Sequence, residues 1–277
     1  MFTGTFTAIV TPFHQGQLDE DALVRLVRSQ VKGGVSGVVP VGTTGESPTL
    51  DYEEHIRVVE LTVKTVAGRI PVIAGTGANS TREAIELTQR AEAAGADASL
   101  QVAPYYNKPT QEGLYQHFRA IAEATPLPIM LYNVPGRTGV NMEAVTTVRL
   151  AAIPNIVAVK EATGDVSRVA KIQDACEKNG YARDELLLLS GDDGSTGEFV
   201  LGGGDGCISV TANVAPSAMH HLMMAALKKD FDEVKRINDP LANLHRDEFV
   251  EANPIPIKWA VKRIGKIDCS YLRPPLD

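Results

Sequence analysis

A lysine closes an apolar run. In residues 155–165, NIVAVKEATGD, the side chains Ile156, Val157, Ala158 and Val159 form the continuous hydrophobic stretch of a strand covered on both faces, and Lys160 sets an ammonium at its end. Such an amine is either solvated or chemically employed. Partly desolvated, it supplies the neutral form that attacks a carbonyl carbon and builds a Schiff base; the competing reading is a side chain that carries its charged head out to water. Tyr132 closes a similar run, PIMLYNVP (128–135), and a phenol within reach of the amine moves protons to and from a carbinolamine. Alone, Tyr132 reads better as a ring packed at a strand end, and the same holds for Tyr106. GTTGES (42–47) joins glycines to small hydroxyl residues ahead of a helix, a pattern whose backbone N–H groups hold an anion such as a carboxylate, although many loops read this way. Arg137, in the glycine-flanked PGRTG, suits bidentate capture of a second carboxylate or simply an exposed loop.

Other chemistries find no support. His14, His55, His117, His220, His221 and His245 do not gather at strand ends, so no metal is expected, and no GxSxG, Walker or EF-hand motif occurs. The paired acids of SGDDGS (190–195) read as a turn closing a strand rather than a cation site. Cys176, Cys207 and Cys269 are odd in number and widely spaced, which argues against a disulfide framework or a redox pair.

Something must position the lysine and the tyrosine. A chain of 277 residues, 44% hydrophobic, can bury a large core. Its net charge of -7 without a basic cluster argues against nucleic acid or an anionic membrane as partner. MFTGTFTAIVTPF carries neither a secretory signal nor a membrane span, so a cytoplasmic location is expected. Strand-length apolar runs recur at 5–13, 37–44, 70–77, 98–105, 128–135, 156–163, 186–193 and 207–213. Between them lie amphipathic stretches such as STREAIELTQRAEAAG and QEGLYQHFRAIAEA, several opening on a capping residue and closing on glycine. Eight strand and helix units in series predict an α/β fold, the (β/α)8 TIM barrel, over residues 1–224. Residues 225–277, with helical patterns and no strand, predict a small helical appendage. A doubly wound sheet lacks its glycine fingerprint here, since TPFHQGQ does not supply it.

Barrel reactivity belongs at the carboxyl ends of strands. Lys160, Tyr132, Thr43, Thr44, Tyr105 and Tyr106 all fall there, with Arg137 just beyond. By strand period Lys160 shares a face with Ala158 and Ile156, and Tyr132 with Met130, so strands five and six are expected to set phenol beside amine inside the barrel.

GTTGES, PYYNKPTQEGLYQHF (104–118), YNVPGRTG (132–139), VKEATGD (159–165), LLSGDD (188–193) and ISVTANV (208–214) together resemble the dihydrodipicolinate synthase family, also called 4-hydroxy-tetrahydrodipicolinate synthase. The match runs from Thr11 to the LRPP segment. The resemblance implies a lyase that condenses pyruvate with L-aspartate 4-semialdehyde through a Schiff base on Lys160, on the path to diaminopimelate and lysine. It implies Tyr132 as acid/base group, linked by Thr44 to Tyr106 given across a dimer interface. Thr43 and its backbone would hold the pyruvate carboxylate and Arg137 that of the second substrate, with Gly191 and Ile208 lining the pyruvate site. No cofactor is implied, and a homodimer or homotetramer is. Ser47, His55, Asn79, Glu83 and Tyr105 match the interface site where some family members bind L-lysine as an inhibitor, while Tyr52 stands where histidine or tryptophan is often found. The family continues past LRPP with a further helix, so the appendage is expected to be short, with no catalytic residue beyond the barrel. N-acetylneuraminate lyase and keto-deoxy sugar acid aldolases share the strand-six lysine and strand-five tyrosine and are the nearest alternatives; a non-catalytic barrel is the remaining one.

Overall fold

The computed structural model describes residues 2–181 and 185–276. Among these, eight parallel strands carry the fold: β1 Gly4–Ala8, β2 Gly37–Val39, β3 Ile73–Gly75, β4 Ala98–Val102, β5 Ile129–Asn133, β6 Ile156–Glu161, β7 Leu187–Ser190 and β8 Gly206–Ser209. They hydrogen-bond in the order β2, β1, β8, β7, β6, β5, β4, β3. A bridge between Val38 and Val72, with Val38 N–H donating to Pro71 O (3.1 Å), brings the two ends together and closes the barrel. Closure leaves no free sheet edge, and helices cover the outside, which is why the strands read as unbroken apolar runs.

The helices follow their sequence signals. α1 (Glu20–Lys32) is capped by Asp19, whose carboxylate accepts the Ala22 N–H, and α2 (Tyr52–Val66) opens on an Asp51/Glu54 capping box. α3 (Thr81–Ala93), α4 (Gln111–Glu123, capped by Thr110), α5 (Ala144–Ala151), α6 (Ser167–Lys178), α7 (Thr196–Leu201) and α8 (Pro216–Leu227) complete the ring. Two clusters of buried side chains lie between strands and helices; a third, with Phe6, Ile73, Leu100, Met130, Tyr132, Leu189 and Ile208, fills the barrel itself.

Three details depart from the sequence expectation. First, α8 runs to Leu227, three residues past the expected boundary, before α9 (Phe231–Asp247) and α10 (Ile255–Arg263) form the appendage. Second, residues Phe13–His14 and Gln17–Leu18 pair as a short antiparallel hairpin where a long first strand was expected. Third, Ile156 does not share a face with Lys160. The register between β5 and β6 shifts at Ile129/Met130, so Val157 is an extra residue, and Ile156 joins the outer cluster while Ala158 stays inside.

The appendage is fastened over the mouth of the barrel by charged groups. Lys258 of α10 is paired with Glu46 in the loop after β2, both wholly buried. Arg273 reaches back to the Glu54 carboxylate and to the Gly16 carbonyl of the hairpin.

Candidate active site

The carboxyl ends of β2, β5, β6 and β7 surround a cavity of about 110 Å³. Lys160 and Tyr132 are cross-strand partners at its floor, 5% and 6% exposed, with Lys160 Nζ 4.2 Å from the centre of the Tyr132 ring. Room for the lysine comes from Gly191 at the end of β7. A Cβ there would stand 2.7 Å from Lys160 Cε and from Ala162 Cβ, closer than such atoms approach. Among the described residues no carboxylate hydrogen-bonds Lys160. Its neighbour Glu161 points to the opposite face of β6, as strand alternation requires, and is taken up there by Arg168 (2.9 Å) and Asn133.

The loop after β2 forms one wall. Its amides at Gly45, Glu46 and Ser47 bond back to Gly42 and Thr43 carbonyls, but the N–H groups of Thr43 and Thr44 have no partner among the described residues. Two adjacent free N–H groups beside a cavity make an anion cradle. The loop is strained to present them: Val41, a β-branched residue, sits at φ 51° and Glu46 at φ 57°. Gly75 allows the fold to hold it, because a Cβ at that position would meet Val41 O at 2.6 Å and Gly42 N at 2.8 Å.

Thr44 is 2% exposed, and its hydroxyl accepts the Asn253 side-chain N–H at 3.0 Å. Arg137, on the one-turn helix Pro135–Thr138 after β5, lies at the rim and donates to the Asn253 carbonyl at 3.1 Å. Asn253 and Phe249 bring the appendage into the cavity wall. No signal in a single sequence ties Asn253 to Thr44, 209 positions away; the isolated amide before the prolines of ANPIP is the only hint.

The remaining expected residues separate. Thr43, Thr44, Tyr132, Arg137, Lys160 and Gly191 line the cavity, whereas Ile208 lies beneath it in the barrel interior and Val210 takes the wall position. Tyr106 is not in the cavity of its own chain: it is 89% exposed, on the loop after β4, at φ 74°. Around it a second group gathers. Asn79 donates to the Tyr105 carbonyl (3.2 Å), and the nearby Glu83 carboxylate helps burial to raise the pKa of Tyr52 and Tyr105. His55 is turned inward, its Nε2–H on the Gly75 carbonyl at 2.8 Å; burial lowers its pKa to about 4, which keeps the ring neutral.

Cys207 is buried and its thiol is pushed far up by desolvation, which makes it inert. A wider hollow of about 550 Å³ between α9 and α10 contains no lysine, cysteine or histidine. Among the described residues no group of three or more acidic, histidine or cysteine side chains is placed to hold a metal, and no helix is long and apolar enough to cross a membrane.

The sequence profile of the dihydrodipicolinate synthetase family matches residues 1–277. A 4-hydroxy-tetrahydrodipicolinate synthase from Aromatoleum aromaticum is 55% identical over 277 residues, covering 100% of this chain and 92% of the relative. Among solved structures, the chloride-inhibited dihydrodipicolinate synthase from Acinetobacter baumannii in complex with pyruvate superposes with a TM-score of 0.96 at 52% identity, covering 100% of this chain and 93% of that one. The enzyme from Cyanidioschyzon merolae with lysine bound gives a TM-score of 0.90 at 40% identity, covering 96% and 89%.

Proposed function

The chain belongs to the dihydrodipicolinate synthetase family, and from that premise we propose how its own residues carry out the condensation of pyruvate with L-aspartate 4-semialdehyde. The carrying observation is the buried Lys160 beside the Tyr132 ring, next to two unpaired backbone N–H groups.

The pyruvate carboxylate docks on the Thr43 and Thr44 amides, which brings its keto carbon to Lys160 Nζ. The neutral amine adds to that carbon; the oxygen takes a proton and leaves as water, giving the Schiff base. Tyr132 shuttles the protons, and Thr44, fixed by Asn253, orients it. Loss of a methyl proton gives the enamine, whose carbon attacks the aldehyde of the semialdehyde while Arg137 holds that substrate's carboxylate. The substrate amine then displaces Lys160 as the ring closes. The cavity volume favours this reading over a sialic acid or sugar-acid aldolase, because about 110 Å³ suits a few heavy atoms and lies far below the ~300 Å³ of larger ligand sites.

Tyr106 points away from its own cavity in a left-handed backbone, which supports its donation to the cavity of a second copy in a homodimer or homotetramer. Ser47, His55, Asn79, Glu83 and Tyr105 would form an L-lysine effector site in the same interface; a neutral His55 with Nε2 already engaged leaves only Nδ1 to accept a ligand's ammonium proton. A cytoplasmic location fits a biosynthetic role.

Borohydride reduction in the presence of pyruvate, followed by mass spectrometry, is the test. The parent chain is expected to gain one reduced pyruvate at Lys160 and Lys160→Ala none. Undiminished labelling of Lys160→Ala overturns the assignment. Saturating lysine is expected to raise the melting temperature and slow the assay with both substrates; no change in either removes the effector site.

A further inference from the structure

Two acids that the mechanism does not use lie directly behind the cavity wall. Asp193 (3% exposed) belongs to the one-turn 3-10 helix after β7, and Glu248 (2% exposed) terminates α9. Asp193 Oδ2 accepts the N–H groups of Val210 (2.7 Å) and Thr211 (3.0 Å), and Glu248 Oε2 accepts the Thr211 hydroxyl (2.8 Å). One oxygen of each carboxyl, Asp193 Oδ1 and Glu248 Oε1, is shielded from solvent and has no hydrogen-bond partner among the described residues.

Among the described residues the groups facing the pair supply no compensating cation; from β8 the buried Cys207 thiol, its pKa raised by burial and by the Asp193 charge, adds none. From α9 comes His245, with Nδ1 2.8 Å from Thr211 Oγ1 and Nε2 3.3 Å from Asn238 Oδ1; from the turn after β7 comes Asp192, a further negative charge. Because Thr211 gives its hydroxyl proton to Glu248, its oxygen receives Nδ1–H from His245; burial holds the pKa of that ring below the ordinary histidine value, which favours the neutral form with Nε2 unprotonated beside the Asn238 amide. Among the described residues no lysine or arginine hydrogen-bonds Asp193 or Glu248. Two ionised carboxylates in such a place repel strongly, and neither can shed the repulsion into water.

We propose that Asp193 and Glu248 hold a single proton between them, carried on Glu248 Oε1, and that Glu248 is thereby a positioning residue which clamps the appendage onto the cavity. With one charge instead of two, ionised Asp193 fixes the amides of Val210 and Thr211 and protonated Glu248 fixes the Thr211 hydroxyl; Val210 and Phe249, the neighbours of these contacts, are cavity wall. Burial, reinforced by the Asp193 charge, pushes Glu248 up to about 8, in keeping with this arrangement. Loss of the proton places two charges behind the wall and loosens it, weakening keto-acid binding before it touches the chemistry at Lys160.

The experiment compares the parent chain with Glu248→Gln and Glu248→Leu between about pH 6 and about pH 9. Folded Glu248 binds its proton above the ordinary carboxylate range, so the native state holds more protons than the unfolded one and parent stability falls as pH rises through that window. The expected result is a parent melting temperature that declines toward alkaline pH, with both variants flatter and the glutamine variant the more stable protein at the alkaline end. Infrared spectra of the parent should show a protonated-carboxyl C=O band near neutral pH that bleaches with alkali and is missing from Glu248→Gln. The pyruvate KM of the parent should rise over the same range while kcat at saturation changes less. An unchanged melting slope in either variant overturns the proposal, as does a parent spectrum without the band, which needs no variant. The KM arm rests on the cavity being the keto-acid site, whereas the melting and infrared arms do not, so the two ideas can fail separately.

Discussion

Among the described residues two lysines are buried, and each has its Nζ 4.2 Å from the centre of an aromatic ring: Lys160 over Tyr132, Lys258 over Phe13. Only one has a carboxylate. Lys258 is fully buried and paired with Glu46, whose attraction offsets the burial that pulls its pKa below the ordinary lysine value. Lys160 lies at the cavity with no such partner, its sequence neighbour Glu161 turned to the far side of the strand. A paired amine is occupied with holding two parts of the fold together, and an unpaired one remains available to a carbonyl. The two sites teach that burial alone does not mark the reactive lysine; the missing counter-ion does.

One substitution made at both sites separates the roles. Lys160→Met is expected to lower kcat by about 10⁴-fold or more, since it removes the nucleophile. Its melting temperature should hold or rise, because a buried amine without a polar partner among the described residues has been replaced by an apolar chain. Lys258→Met should do the reverse. It leaves Glu46 ionised in a closed site, a loss of about 3–5 kcal/mol, or roughly 6–20 °C in a chain of this size, while the folded fraction still forms the pyruvate adduct. Lys258→Met/Glu46→Gln should recover part of the loss. If both single variants lose stability equally, the contrast between the two lysines fails.

Smaller changes probe how tightly Lys160 is aimed. Gly191→Ala inserts a methyl at 2.7 Å from Lys160 Cε, so the amine must move by a few tenths of an ångström or more; kcat/KM for pyruvate is expected to fall about 10- to 100-fold, and the melting temperature should fall by a few degrees as well, because Ala162 Cβ, also at 2.7 Å, is fixed to the backbone. Asn253→Ala removes the donor that orients Thr44. A hydrogen bond of about 0.5–1.5 kcal/mol corresponds to a two- to tenfold loss, expected in kcat more than in KM. A pure KM effect would reassign Asn253 to substrate binding.

The barrel and the lysine/tyrosine pair were legible because both rest on local periodicity: strand runs alternating with helical stretches, and side chains two positions apart on one face. Where periodicity breaks, legibility ends. The bulge that makes Val157 an extra residue turns Ile156 outward, and no residue type announces it. The pairing of Glu46 with Lys258 and of Thr44 with Asn253 spans more than two hundred positions, so only the closed fold brings them together. The exposure of Tyr106 is likewise a property of the loop path, not of the PYYN motif that singled it out.

The contrast between paired and unpaired buried charge extends to two imidazoles and gives the smallest effect. His55 donates to a carbonyl, and His117 has the Thr81 hydroxyl 2.9 Å from its Nδ1; among the described residues neither is hydrogen-bonded to a carboxylate, and burial lowers both to a pKa of about 4. In the unfolded chain each titrates near the ordinary histidine value of ~6.5. Between those limits the unfolded state binds more protons, so stability is fully present above about pH 6.5 and is lost as pH falls toward about 4. Each imidazole contributes at most about 1.4 kcal/mol per pH unit, or roughly 3–5 °C per unit, and nothing near pH 7.5. Replacing His117 with Phe, which keeps the ring volume and removes the buried unpaired Nε2, should flatten the acid limb and leave the neutral melting temperature within a few degrees. An acid limb as steep as that of the parent would mean that His117 finds a counter-ion on protonation, which would place it with Lys258 rather than with Lys160.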